Sequence, residues 1–351
     1  MWMRMVVVVG FTFSLPCAAW DVRTDSEGDL VQWHHPVKLV LDRDAAGLMG
    51  EPRAEDAVRA AVKNFDDATP FLDVSVSVGA AAPLGYVAGK PNQNTIVALE
   101  EWPFSKTALA VTIVTLNART NELLDADVAF NLASHKFRVL DDPANDTQSF
   151  DDVQNTVSHE VGHVLALMHN GEESDLVMFP SAASGEISKR TLKQDDIDGL
   201  LALYGKEPPP FFSCSSTGSS APWLLIVLVI GFLRRSKRLA LIALLPAAAL
   251  ADDVALVKVT ARTSAAHAKN PGLIVTDLSL SVIECKSGSC VGISHAVVPG
   301  GRIGDLEQIV VHEPVPRVGE VILVTRSVEG QVSVVYADGN GHQGAGVSHS
   351  Q

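Results

Sequence analysis

Three histidines and one glutamate within eleven residues carry the recognisable chemistry of this chain. The run from His159 to His169 reads HEVGHVLALMH. On a helix, His159 and His163 lie one turn apart on the same face, so both imidazoles can ligate one metal ion. Glu160 lies beside them, where its carboxylate can hold a water molecule at the metal, and His169 completes the ligand set if the helix ends before it. Three histidines that leave one coordination position open are typical of a catalytic zinc.

Alternating helix-like and strand-like segments must position this motif. The metal-binding helix is predicted to begin near Asp152, and a last helix over 193–203 is predicted to stop at Gly205. A further helix is predicted over 55–65, where apolar residues recur at helical spacing. Segments rich in valine, isoleucine and threonine predict strands over 37–41, 72–78, 95–99, 109–116 and 125–131.

A methionine beyond the third histidine gives the motif a family resemblance. The sequence from His159 to His169, followed by Met178 in the stretch SDLVMFP, resembles the metzincin zinc peptidases, whose pattern is HExxHxxGxxH with a Met-turn. Within that clan it most resembles the matrixins, the matrix metalloprotease type. The segments 150–158 (FDDVQNTVS) and 192–205 (LKQDDIDGLLALYG) extend the resemblance, which spans about 20–206.

The resemblance implies a fold and a reaction. The fold is α+β, a metzincin catalytic domain with a twisted, mixed five-stranded sheet and three helices. The reaction is hydrolysis of peptide bonds by a zinc-bound water, with Glu160 as general base and one zinc ion held by the three histidines. The protein or peptide substrate is expected to lie antiparallel to an edge strand, with 179–190 walling the specificity pocket. The resemblance places the following residues: zinc ligands His159, His163 and His169; an apolar floor, Met178; and substrate-binding strand residues Ala110, Val111 and Thr112.

One residue departs from the family pattern. The glycine that lets the helix end and turn towards the third ligand is Ala166 here. Alanine adopts left-handed backbone angles at a cost of about 1 kcal/mol or more. This departure leaves open an alternative, a surface-anchored binding or adhesion protein whose metzincin domain is inactive. The sequence does not support a calcium site, and we find no pro-domain cysteine to occupy the zinc. We therefore expect control by export, anchoring or an inhibitor.

The amino terminus predicts export. Arg4 precedes an apolar run from 5 to 15, and small residues then offer a cleavage site, so 1–19 is predicted to be a signal peptide. The net charge of −14 argues against nucleic acid as a partner, because binding phosphates requires a basic surface. The expected location is the cell surface, outer envelope or extracellular space.

A membrane-seeking region follows the peptidase-like part. The segment 207–220, rich in proline, serine and glycine, predicts a linker, and 221–233 is apolar and ends in a basic cluster at 234–238. Cys214, the apolar run and the arginines resemble the sorting tail of myxobacterial surface proteins (the MYXO-CTERM type), and an ordinary stop-transfer anchor over 221–238 is the alternative. The segment 239–251 resembles a second export signal, which suggests two exported proteins joined by gene fusion or by a gene-calling error.

The remaining residues, 252–351, predict a small all-β domain of unknown function. Cys285 and Cys290 flank a turn-like stretch, where a disulfide and two free thiols are the alternatives. The histidines of this part show no ligand spacing, and we expect no catalytic role for them; they are His267, His295, His312, His342 and His349. The sequence gives no oligomeric state.

Overall fold

The computed structural model describes residues 20–141, 150–205, 253–337 and 343–345, apart from 26, 51, 172 and 328–329. The predicted signal peptide, linker, sorting tail and second export-like segment therefore lie outside the described residues. Within the described part of the chain, no helix combines the length and apolar character needed to cross a membrane.

The three helices predicted from the sequence are confirmed, and a short fourth one precedes them. They are α1 (Arg43–Leu48), α2 (Arg53–Ala68), α3 (Val153–Val164) and α4 (Gln194–Tyr204). The first was not predicted because six residues are too few for a periodic pattern. It begins where the Asp42 carboxylate accepts the backbone N–H groups of Asp44 and Ala45. Helix α2 buries the apolar face whose helical spacing predicted it.

Five strands of the first half of the chain form the mixed sheet that supports the helices. They are β1 (Val37–Asp42), β2 (Val74–Gly79), β3 (Asn94–Leu99), β4 (Ala110–Asn117) and β5 (Glu122–Asn131). Their order is β4-β5-β3-β1-β2, with β4 antiparallel to β5 and the other pairs parallel. A two-residue pair, β6 (Phe137–Arg138) with β7 (Asp151–Asp152), leads directly into α3.

The described residues after 252 are mostly β, as predicted. They form β8 (Asp253–Ala266), β9 (Ile274–Ser287), β10 (His295–Pro299), β11 (Gly301–Ile303), β12 (Leu306–Val310), β13 (Val321–Arg326), β14 (Val332–Ala337) and β15 (Gln343–Ala345). Six of these strands make an antiparallel sheet in the order β10-β9-β8-β13-β14-β15. A disulfide joins Cys285 to Cys290 and decides between the two alternatives for these cysteines.

The main correction to the predicted fold concerns β11 and β12. Both belong to the first sheet and not to the second, so the first sheet has seven strands in the order β11-β12-β4-β5-β3-β1-β2. Val310 of β12 completes a buried apolar cluster with Phe104, Val111 and Ile113. Alternation of apolar residues predicts a strand but not its neighbour, so this pairing has no signature in the sequence.

Candidate metal centre and substrate cleft

The start of α3 is fixed by a buried carboxylate. Asp152 is the N-cap and accepts the backbone N–H of Asn155 at 2.8 Å. The guanidinium of Arg190 also pairs with this carboxylate, its Nε donating at 2.8 Å. Because Asp152 is buried and held from both sides, the first turn of the helix, and with it the face that carries His159, has a fixed position.

The end of α3 turns sharply at Ala166, as the sequence requires. Ala166 has a φ of +66°, the left-handed conformation. The turn is held by backbone hydrogen bonds: the N–H of Leu167 donates to the carbonyl of Gly162, and the N–H of Arg23 donates to that of Ala166, both at 2.9 Å. The N–H of Met168 donates to Asp21 at the same distance. The segment before β1 therefore holds the turn that brings His169 back to the helix.

The three histidines converge on one point. The Nε2 atom of His163 lies 3.2 Å from those of His159 and His169, which are themselves 3.3 Å apart. Tetrahedral ligands about 2.0–2.1 Å from a zinc ion are roughly 3.3 Å from one another. The Nδ1 atoms of His159 and His163 donate to the carbonyls of Val177 and Leu167, at 2.6 and 2.8 Å. This leaves the Nε2 lone pairs for the ion, so the donor set fits zinc.

Burial keeps these imidazoles in their uncharged form. It lowers the pKa of His159 and of His163 well below the ordinary value, and it lowers the pKa of His169 to about 4. The neighbouring histidines lower the pKa of the first two further. A neutral imidazole is the form that binds a metal, so the site needs no deprotonation at neutral pH.

Glu160 follows His159 on α3 and is buried. The hydroxyl of Thr112 on β4 donates to its Oε2 at 2.6 Å. Burial raises the pKa of Glu160 to about 7, against the lowering effect of this hydrogen bond. One carboxylate oxygen is thus held by the sheet, and the group lines the cleft beside the histidines.

Met178 packs against α3 at Gly162, the residue before His163. A Cβ atom on Gly162 would lie only 2.2 Å from the Met178 sulfur, so the glycine allows this contact. The carboxylate of Asp196 on α4 accepts the backbone N–H groups of Val177 and Met178 at 3.2 and 3.3 Å. The same carboxylate accepts the N–H of Lys193 at the start of α4, so one side chain both caps that helix and holds the Met-turn.

A fourth histidine corrects the sequence analysis. His312, for which we expected no catalytic role, follows β12 and lies beside the three histidines of the motif, its ring centroid 4.3 Å from that of His169. One potential ligand atom from each of the four histidines lies within 4.8 Å of the other three. Burial lowers the pKa of His312 to about 3. It was missed because it lies far along the chain, after a strand whose pairing with β4 has no signature in the sequence, and no spacing rule links it to the motif.

The strand predicted to bind substrate is not at the sheet edge over most of its length. Ile113 to Asn117 of β4 pair with β12, and the carbonyl of Thr112 accepts the N–H of Val311 at 2.9 Å. Ala110 and Val111 lie beyond the end of this pairing, and Ala110 lines the cleft. Strand β12 of the same chain therefore pairs with part of the strand to which the resemblance assigns substrate binding.

A cavity of about 370 Å³ opens beside the histidines. Its walls include Phe179 and Ser181 of the predicted pocket loop, together with Lys189, which is fully buried. The Lys189 ammonium donates to the Ser181 carbonyl and lies 3.4 Å from the Glu186 carboxylate. This wall of the cavity therefore contains a buried ammonium group that is paired with a carboxylate.

Fold and site together have the features of one class of metal-dependent peptidase domain: a helix with two histidines, a third histidine beyond a tight turn, and a methionine packed against the helix. Residues 42–205, just under half of the chain, match the family model for matrixin, Peptidase_M10. This part of the chain carries a matrixin domain, and the family implies zinc as its metal.

Curated relatives match over short stretches. Neutrophil collagenase of Homo sapiens is 43% identical over 65 residues, which cover 18% of this chain and 13% of that protein. Matrix metalloproteinase-27 of Tupaia belangeri is 47% identical over 51 residues, 14% of this chain and 10% of that protein. Metalloendoproteinase 5-MMP of Arabidopsis thaliana is 42% identical over 57 residues, 16% of this chain and 15% of that protein. The chain thus spans about a tenth to a seventh of the length of these relatives.

Proposed function

We propose that this protein is an exported, surface-anchored zinc endopeptidase that hydrolyses peptide bonds with Glu160 as general base. The observation that carries the proposal is the triangle of Nε2 atoms from His159, His163 and His169, whose edges of 3.2–3.3 Å suit one tetrahedral zinc ion. The matrixin match over 42–205 and the short metalloproteinase matches support the same class.

Each residue of the site has a part in the reaction. When bound, zinc supplies a Lewis acid that polarises the scissile carbonyl and acidifies water. Thr112 holds Oε2 of Glu160, which leaves Oε1 to take the proton from the attacking water and to deliver it to the leaving amine. The backbone of Ala110 and Val111 aligns the substrate, and the cavity walled by Phe179 and Ser181 takes one side chain of it.

The test of this proposal is hydrolysis of a fluorescent peptide library by the zinc-loaded full chain. Glu160→Gln keeps the size of the side chain but cannot accept the proton, so we expect hydrolysis to fall at least 1,000-fold, on the order of what a base and its positioning contribute. Zinc content should stay at one ion per chain, since Glu160 is not a ligand. Glu122→Gln, on β5 away from the cleft, is the matched control and should leave hydrolysis unchanged. If both the wild-type chain and its His312→Ala variant bind zinc but neither shows Glu160-dependent hydrolysis, the protein would instead be the binding protein of the alternative hypothesis.

Export and anchoring rest on the sequence features of 1–19 and 221–238 and form a separate part of the proposal. The intact mass of the protein released from the surface of an expressing cell is the measurement. A mass that lacks 1–19 and ends near Cys214 supports export followed by processing of a sorting tail. A cytoplasmic protein of full mass contradicts both.

A further inference from the structure

The segment that ends at His312 lies in the cleft as a substrate would. Strand β12 runs antiparallel to β4, with Leu306 opposite Asn117 and Val310 opposite Ile113. This is the orientation expected for a bound peptide at that strand. The N–H of Val311 then donates to the carbonyl of Thr112, so main-chain hydrogen bonding continues up to the residue whose hydroxyl holds Glu160.

At the metal centre this segment turns away from the path of a substrate. The N–H of Glu313 donates to the carbonyl of Val310 at 3.1 Å and closes a tight turn. His312 occupies this turn with a φ of +75°, a left-handed conformation that residues other than glycine rarely adopt. The turn places the imidazole against the other three histidines, its ring centroid 4.3 Å from that of His169, 5.2 Å from that of His163 and 5.9 Å from that of His159.

Buried contacts on both sides of His312 hold the segment down. Beyond it, the backbone N–H of Ser105 donates to the carboxylate of Glu313, which is buried. Before it, Gln308 is buried and donates to the hydroxyl of Thr115 at 3.1 Å. Val310 lies in the apolar cluster formed with the first sheet. A segment fixed in these three ways is a docked element of the fold.

We propose that His312 is a fourth zinc ligand, supplied by the β domain after residue 252, and that this domain inhibits the peptidase of its own chain. Zinc held by three histidines has one open position for water and substrate, and a fourth imidazole closes it. The ligand atoms of the four histidines lie within 4.8 Å of one another, so the His312 ring needs to approach by at most about 1.5 Å to reach tetrahedral spacing. The inference rests on the proposed function, because inhibition requires an activity to inhibit.

The first experiment counts the zinc ligands without any mutation. X-ray absorption of the zinc-loaded full chain distinguishes four imidazole nitrogens from three imidazoles and one oxygen. Four imidazoles are expected. Three imidazoles and an oxygen would overturn the proposal, whatever the activity of the protein.

The second experiment releases the block. His312→Ala in the full chain should raise kcat/KM for the peptide library at least tenfold, weaken zinc binding at least tenfold, and change the visible spectrum of the cobalt-substituted protein. His295→Ala replaces an exposed histidine of the same domain, on β10, and should change each quantity less than twofold. A His312→Ala protein that matches wild type in all three measurements would contradict the proposal.

The two proposals fail in different ways. If wild type shows three imidazoles and Glu160-dependent hydrolysis, the endopeptidase assignment stands and the inhibitory role of His312 is wrong. If wild type shows four imidazoles and neither it nor His312→Ala hydrolyses any peptide, the closed metal site is supported, whereas the endopeptidase function and the inhibition that depends on it are both wrong.

Discussion

Ala166 shows how much of a metal site is set by backbone rather than by ligands. Its φ of +66° is one that glycine adopts freely and alanine does not. The neighbouring backbone supplies what the residue type does not, because Arg23 and Leu167 donate hydrogen bonds across the turn. His169 therefore reaches the metal site although the residue that usually permits the turn is missing.

This explanation predicts a small effect of restoring the glycine. Ala166→Gly should change zinc affinity by less than threefold, because hydrogen bonds that do not involve the side chain already hold the turn. Removing the left-handed strain stabilises the folded protein by about 1 kcal/mol. The substitution also removes a buried methyl group and raises the entropy of the unfolded chain, and these two effects offset that gain. Competition with a chromophoric chelator measures the affinity. A gain of tenfold or more would mean that alanine strains the site and that the backbone contacts do not relieve it.

At the scale of elements, β5 carries two buried carboxyl groups that the proposed reaction does not use. Asp127 accepts the N–H and the hydroxyl of Thr95, both at 2.8 Å, and the N–H of Gly85. Asp125, two residues earlier on the same face, is also buried. Burial first, and the charge of Asp127 second, raise the pKa of Asp125 far above its ordinary value. Asp125 is therefore the member of the pair that holds a proton in the folded protein.

A pH-dependent stability follows from this pair. In the unfolded chain Asp125 ionises near pH 4, whereas in the folded protein it stays protonated to much higher pH. The folded state binds the extra proton, so stability falls as pH rises above 4, by up to about 1.4 kcal/mol per unit. Asp125→Asn should remove this contribution, so its stability should fall less steeply with pH than that of wild type, and it should be more stable than wild type at pH 8.

Urea unfolding at pH 5 and pH 8 checks the sign. Asp73→Asn, which changes an exposed aspartate near β2, is the control and should keep the wild-type slope. An Asp125→Asn protein with the wild-type slope between these pH values would show that Asp125 is ionised in the folded state.

The elements near the motif were largely predictable from sequence, and the reason is local. The apolar period over 55–65 and the cap at Asp152 are signals contained within one helix, and the structure confirms α2 and α3. The spacing of His159 and His163 likewise depends on one helix alone. His312 has no such signal, because its position depends on β12 pairing with β4, between residues almost two hundred positions apart in the chain.

At the scale of the whole molecule, a few buried contacts join the two parts of the chain. One of them is between Gly85 and Gly272, where a Cβ on Gly85 would come within 2.1 Å of the Gly272 carbonyl oxygen. Beside it, the amide of Asn270 donates to the Leu84 carbonyl at 3.0 Å. The match to the matrixin family ends at 205, so these contacts lie between a matrixin domain and a part of the chain outside that match.

Gln308 is the residue on which we expect this junction to depend most. Its amide donates to the Thr115 hydroxyl and the Gly272 carbonyl, and its Oε1 accepts the N–H of Ile274 at 2.7 Å, so it links β12 to both β4 and β9. Gln308→Ala leaves these buried groups without their hydrogen bonds and should lower the free energy of unfolding by about 3 kcal/mol.

The control, Arg119→Ala, breaks the exposed ion pair with Asp305 at the same junction and should lower the free energy of unfolding by less than about 0.5 kcal/mol. Urea unfolding followed by tryptophan fluorescence measures both. Trp20, Trp33 and Trp102 lie in the described first half of the chain, and Trp2 and Trp223 are replaced by phenylalanine in every protein compared. A large loss in Gln308→Ala then shows that the β domain stabilises the matrixin-like part. Equal and small effects of the two substitutions would mean that the two parts unfold independently.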